Sequence, residues 1–132
     1  MQYMLDTNIC VYAIKRKPQK ISRKLLEFNC GDICISSIVL AELEFGVCKS
    51  TRPERNEYAL NEFLAGIKVV DFDRNAAKEY GDIRADLERK GTPIGSNDMF
   101  IAAHARALNL TLVTNNIREF SRIENLKLEN WV

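Results

Sequence analysis

The chain has 132 residues, 46% of them hydrophobic and 28% charged, with a formal net charge of +1. No apolar stretch approaches the roughly 20 residues that span a bilayer. A net charge this small excludes a strong uniform field, and the length suits one domain with a real hydrophobic core.

Tyr3, Met4 and Leu5 form a short apolar run that reads as a buried strand. It ends in Asp6-Thr7-Asn8, small polar residues suited to a turn and a helix N-cap. An aspartate at the carboxyl end of the first strand of an α/β sheet points into the crevice where such sheets hold their ligands. Residues 8–16 read as helix, Pro18 forces a break, and a second helix runs to about residue 28 with Ile21, Leu25 and Phe28 on one face. Between Lys15 and Lys24 stand six basic residues and no acidic one. That run is either a solvated helix face or a phosphate-contacting patch.

After a turn at 29–32, residues 33–35 read as strand, and Ser37 is placed to cap a helix over 38–48 that carries Glu42. Pro53 opens the next helix, whose buried stripe is expected to be Tyr58, Ala59, Phe63 and Leu64. Residues 67–72 read as strand. Asp73 caps a long helix through Lys90, with Ala76, Ala77, Tyr80, Ile83 and Leu87 inward and Gly91 as its stop. Ser96 is placed to cap a helix that carries Asp98 in its first turn, where the helix dipole favours the ionised carboxylate. Residues 110–113 read as strand ending in Thr114-Asn115-Asn116, a short helical turn follows at 118–120, and 126–128 read as a last strand.

There is no linker, repeat or low-complexity tract, so residues 1–132 read as a single domain. Strands alternating with helices indicate an α/β fold: a central, mainly parallel sheet of four to five strands flanked by helices in three layers. No charged-then-apolar leader opens the chain, and the cytoplasm is the expected compartment. The four cysteines, Cys10, Cys30, Cys34 and Cys48, lie in no C-x-x-C pair and have apolar flanks. They are expected reduced and largely buried, and with His104 the only histidine a structural zinc site lacks ligands.

In a parallel sheet the polar triplets at strand ends fall on one edge, and Glu42 and Asp98 approach it from helix starts. Each acid alone has a plain alternative as a cap or a rim residue. Together, converging carboxylates repel unless a cation lies between them, and hard oxygen ligands suit Mg²⁺, with Mn²⁺ as substitute. Asp6 and Asp98 are the candidate ligands, with Glu42 completing the shell or orienting a water. Thr7, Asn8, Ser37 and Thr114 are placed either to orient those carboxylates or only to cap helices. His104 lies about 240° round the helix from Asp98 and reads as structural.

The pattern resembles the PIN-domain ribonucleases, and among them the VapC toxins of type II toxin–antitoxin systems. The resemblance rests on Met4-Leu5-Asp6-Thr7-Asn8 and on Ser36-Ser37 through Ala41-Glu42-Leu43 with Gly46. It rests equally on Pro93-Ile94-Gly95-x-x-Asp98 with Ile101-Ala102-Ala103-His104-Ala105, and on Leu112-Val113-Thr114-Asn115-Asn116 with Arg118-Glu119-Phe120. It implies a PIN-like fold and Mg²⁺-dependent endonucleolytic cleavage of RNA, with tRNA anticodon loops, initiator tRNA among them, as a target class. Asp6, Glu42 and Asp98 match the family's acids. Where a fourth aspartate is common this chain has Asn116, and Glu119 one turn later is the alternative carboxylate. The resemblance further implies a VapB-type antitoxin that inserts an arginine among the carboxylates and alone contacts operator DNA, and a toxin homodimer. Lys15, Arg16, Lys17 and Lys20 are then the candidate RNA path. Rival readings are a receiver-like signalling module, a haloacid-dehalogenase-like phosphatase, which would want an aspartate at Asn8, and an inactive PIN-like binding module.

Overall fold

The computed structural model describes residues 1–132, apart from the side chain of Cys30. Five parallel strands form one sheet: β1 (Tyr3–Leu5), β2 (Ile33–Ser36), β3 (Lys68–Val70), β4 (Thr111–Val113) and β5 (Leu128–Glu129). The helices are α1 (Thr7–Lys15), α2 (Gln19–Leu26), α3 (Ser37–Cys48), α4 (Pro53–Leu64), α5 (Arg74–Lys90), α6 (Ser96–Ala107) and α7 (Ile117–Phe120). A single 3-10 turn, Cys30–Asp32, leads into β2. No described helix is long and apolar enough to cross a membrane.

The central strands are apolar without alternation because helices cover both their faces. Met4, Leu5, Cys34, Ile35, Leu112 and Val113 are all fully buried. The strand order is β3-β2-β1-β4-β5. The chain winds outward from β1 to β3, then returns to the other side of β1 for β4 and β5. The winding therefore reverses between β1 and β4, and such a reversal opens a crevice at the carboxyl ends of the two strands. Asp6 follows β1 and Thr114 follows β4, so both stand at that crevice. A receiver-like module would place β1 between β2 and β3, and this order excludes it.

Element boundaries differ from expectation where a partner decides them. Only Lys68, Val69 and Val70 pair with β2, so β3 is shorter than residues 67–72. Ile67 instead donates to Leu64 O at the end of α4, and Phe72 N–H donates to Ser37 Oγ. The last strand is Leu128–Glu129, not 126–128, because Leu128 and Glu129 are the residues opposite Leu112 and Val113. Helix α2 stops at Leu26, and Phe28 stacks on Trp131 beside Tyr3 at the opposite end of the sheet.

Several expected caps and buried positions move. Ser36, not Ser37, caps α3, its Oγ accepting Ile38 N–H at 3.1 Å. Gly95, not Ser96, precedes α6, with no side-chain cap. Tyr58 is 69% exposed, and Leu60 takes the core position on α4 instead. Ala77 on α5 is also exposed. Cys10 and Cys34 are buried and free, whereas Cys48, in the last turn of α3, is exposed. The expected burial of Cys30 lies outside the described residues.

Candidate functional site

Asp6 is the N-cap of α1 and is 5% exposed. Its Oδ1 accepts Ile9 N–H at 3.0 Å, and its Oδ2 accepts a short hydrogen bond from the Thr114 hydroxyl. The Thr114 oxygen in turn accepts Asn116 N–H at 2.9 Å. The carboxylate after β1 is thus fastened to the end of β4, across the crevice. Burial pushes the Asp6 carboxyl above its ordinary value, while Thr114 and the backbone N–H groups of Ile9 and Asn8 pull it down.

Glu42 arrives from the second turn of α3 and is held by Thr7, whose hydroxyl donates to Oε1 at 3.1 Å. Asn116 Nδ2 donates to Glu119 Oε2 at 3.2 Å, joining the two candidates for the fourth position. Asp98 stands in the first turn of α6, with Oδ2 lying over Gly95, 3.5 Å from where a β-carbon there would sit. Its carboxyl is pushed up to about 6 by burial and then by the charges of Asp6, Glu119 and Glu42, in that order of effect. The net shift is opposite to the one that the helix dipole alone would give. A first-turn dipole supplies about 0.3–1 kcal/mol, and burial beside three acids opposes it with more.

The structure therefore brings Asp6, Glu42, Asp98, Asn116 and Glu119 to one edge, as the strand-end triplets suggested. Thr7 and Thr114 contact carboxylates. Asn8 engages Asp6 through its backbone N–H. Ser37 does not orient a carboxylate; its Oγ is taken by Phe72 N–H, because Ser36 already caps the helix. No three His, Cys, Asp or Glu side chains among the described residues are arranged to hold one ion in common. Asp6, Glu42 and Glu119 each lean on a donor of their own instead. The donor set still fits a hard cation that keeps most of its waters, as Mg²⁺ does when one or two carboxylates bind it. The repulsion recorded in Asp98 is what such a cation relieves. Cys10 lies buried beneath this edge, and its thiol is pushed well up by burial and then by Asp6 and Glu42.

Lys15, Arg16, Lys17 and Lys20 are all exposed beyond the end of α1 and the start of α2. Lys15 also lines a groove of about 1000 Å³ that begins at Thr7 and Glu42 and runs over Val11, Ile14, Ile38, Phe45 and Val47 to Lys49 and Asn56.

The PIN domain family model matches residues 3–126. Ribonuclease VapC2 of Rickettsia felis is 54% identical over 99% of this chain and 98% of its own length. The chain belongs to the VapC family of PIN domains. The tRNA(fMet)-specific endonuclease VapC of Salmonella typhimurium is 47% identical, over 99% of this chain and 98% of its own. The crystal structure of VapBC2 from Rickettsia felis bound to a promoter DNA fragment contains a chain that matches this one over the full length of both, with a TM-score of 0.94 and 51% identity.

Two features of this PIN domain are not read from its sequence. The Ser36 hydroxyl is a cap and also lies 2.8 Å from His104 Nδ1. The adjacent serines were the only signal, and strand length decided between them. Asn115 Nδ2 donates to the Tyr12 hydroxyl at 3.1 Å, tying α1 to the β4 end at the mouth of the crevice. Helical periodicity alone places Tyr12 only on a face of α1.

Proposed function

We propose that this chain is the toxin of a type II toxin–antitoxin pair, a Mg²⁺-dependent endoribonuclease acting on tRNA in the cytoplasm. The observation that carries the reading is the gathering of Asp6, Glu42 and Glu119 around Asp98 at the β1/β4 crevice, where burial and then their charges raise Asp98 to about 6. Its likeness at 47% identity to a tRNA(fMet)-specific endonuclease supports tRNA as the substrate class, initiator tRNA first.

Asp6 and Asp98 would hold the ion, directly or through its waters. When bound, Mg²⁺ or Mn²⁺ lowers the pKa of a water and offsets charge developing at the scissile phosphate. Thr114 and the Ile9 N–H hold both Asp6 oxygens in place. Thr7 holds Glu42 Oε1, which leaves Oε2 to orient a water. Asn116 fixes Glu119 so that it, rather than the amide, supplies the fourth charge. In-line attack of a water on phosphorus, its proton passing to solvent, would break the P–O3′ bond, and the departing 3′ oxygen would take up a proton, leaving a 3′-hydroxyl and a 5′-phosphate.

An acidic crevice repels RNA, so cations beside it must hold the strand. Replacing Lys15, Arg16, Lys17 and Lys20 together by alanine is expected to weaken tRNA binding and to lower the slope of log affinity against log salt by about 3. Filter binding between 50 and 200 mM salt, as rough working limits, reads that slope. An unchanged slope removes these residues from the path.

The groove that starts at Glu42 suits an antitoxin segment, apolar along its length, with an arginine reaching the carboxylates. The likeness to the VapBC2 complex supports such a partner, and operator DNA is then contacted through the antitoxin. A homodimer is the expected assembly; Leu26 and Tyr58 are exposed apolar side chains outside the groove.

The deciding experiment incubates purified protein with total tRNA in Mg²⁺ or in EDTA, beside Asp6→Ala and Asp98→Ala, and maps the new 5′ ends. Discrete fragments in Mg²⁺ alone, lost in both variants, are expected. Fragments that persist in EDTA or in both variants overturn the metal-nuclease reading, and no fragments under any condition leaves a binding module.

A further inference from the structure

The Ser36 hydroxyl serves two elements at once. Its oxygen accepts Ile38 N–H at the start of α3, and it lies 2.8 Å from His104 Nδ1 in the middle of α6. A serine oxygen that accepts one N–H can still give its own hydrogen to a bare Nδ1 or accept a second bond from a protonated one, so either imidazole tautomer closes the link. Both residues are buried, Ser36 at 0% and His104 at 1% exposure. Among the described residues this is the one side-chain hydrogen bond between α6 and the β2–α3 segment.

The two residues stand at matched positions. His104 lies six residues beyond Asp98 on α6, and Ser36 lies six residues before Glu42 on the path into α3. Each is therefore about 9 Å along a helix from its carboxylate. A bond at that place sets how closely α3 and α6 approach, and those helices deliver Glu42 and Asp98 to the crevice. Phe72 packs against the ring, T-shaped at 5.4 Å between centroids, and limits its swing.

Packing alone does not account for a histidine here. His104 Nε2 is buried with no hydrogen-bond partner among the described residues. A leucine or phenylalanine would fill the space without that orphaned nitrogen. What the imidazole adds over an apolar side chain is the hydrogen bond at Nδ1. Burial also pushes the ring's pKa down against the pull of Asp73 and Asp71, which favours the neutral ring.

We propose that Ser36 and His104 are positioning residues whose hydrogen bond sets the separation of Glu42 from Asp98, and through it the affinity of the crevice for its divalent ion. The proposal rests on the metal-nuclease reading above.

Calorimetric titration with Mn²⁺ tests it on the full-length wild type, Ser36→Gly, His104→Leu and His104→Asn, beside their Tm values and tRNA cleavage. Glycine is tolerated at an N-cap, so Ser36→Gly removes the link with little loss of the cap itself. Asparagine offers an amide near the place of Nδ1 and can accept from or donate to the Ser36 hydroxyl. Ser36→Gly and His104→Leu are expected to weaken Mn²⁺ binding about 10-fold or more. They should lower kcat with little change in KM for RNA. His104→Asn is expected to recover most of the Mn²⁺ affinity even where its Tm stays below wild type, which a purely structural role would not produce. Wild-type Mn²⁺ affinity in Ser36→Gly and His104→Leu overturns the proposal, as does His104→Asn binding Mn²⁺ no better than His104→Leu. If the wild type binds Mn²⁺ and cleaves tRNA, either result removes this inference alone. A wild type that does neither overturns the nuclease reading and this proposal with it.

Discussion

Asp6→Asn is expected to lower single-turnover tRNA cleavage by about 10³-fold, an effect of about 4 kcal/mol on the barrier. The substitution removes one charge and little else. Asparagine is as good an N-cap as aspartate, so its Oδ1 can keep the bond from Ile9 N–H. On the other side the amide N–H turns towards Thr114, whose oxygen already accepts Asn116 N–H and has a second lone pair to offer. The helix start and the β1–β4 tie therefore survive. Urea unfolding should move by no more than about 1 kcal/mol, as one neutral hydrogen bond replaces a charged one. Rate and stability are thus expected to separate. A loss of less than tenfold at saturating Mg²⁺ would reduce Asp6 to a helix cap and remove it from the chemistry.

Asp6 was legible in the sequence because apolar runs that end abruptly in small polar residues mark strand ends, and parallel strand ends share an edge. Thr7, Thr114 and Asn116 followed from the same signal. The strand order was not legible. Periodicity identifies a strand but not its neighbour, so the reversal between β1 and β4, which makes the crevice, appears only in the fold. Choices of one residue were lost for the same reason. Ser36 and Ser37 look alike in sequence, and the pairing of Ser36 with Val70 decides which serine ends the strand and caps the helix. Tyr58 has the spacing of a buried residue, yet α4 presents Leu60 to the core and turns Tyr58 outward. The upward shift at Asp98 was not legible because a helix start can be read locally, whereas its burial and the charges of Asp6, Glu119 and Glu42 come from elements far apart in the chain.

Asp98→Asn carries the second large effect, and it acts on rate and stability in opposite directions. Cleavage should fall by about 10³-fold, since a proposed ion ligand is lost. Without added metal at pH 7 the variant should nevertheless be more stable than the wild type. The Asp98 carboxyl is at about 6 in the folded chain and 3.8 in the unfolded one, so the folded state holds its proton more tightly. Below pH 3.8 both states are protonated and the group contributes no penalty. As pH rises from there through about 6, the folded state loses stability relative to the unfolded state, and above that the loss is constant. The gap between the two values corresponds to about 3 kcal/mol, and solvent screening of a half-buried group brings it to ~2 kcal/mol. For a chain of this size that is roughly 6–8 °C in Tm. Urea unfolding of both proteins in EDTA across this pH range reads the difference directly, and it should vanish at the acid end. Saturating Mg²⁺ then reverses the order at pH 7. At 100 times Kd an ion that binds only the folded state adds about 2.7 kcal/mol to the wild type and little to the variant. Below about pH 6 that gain should shrink, as protons compete with the ion for Asp98. Equal stability of the two proteins at pH 7, with Mg²⁺ and without it, would mean that Asp98 feels neither its neighbours' charge nor the ion.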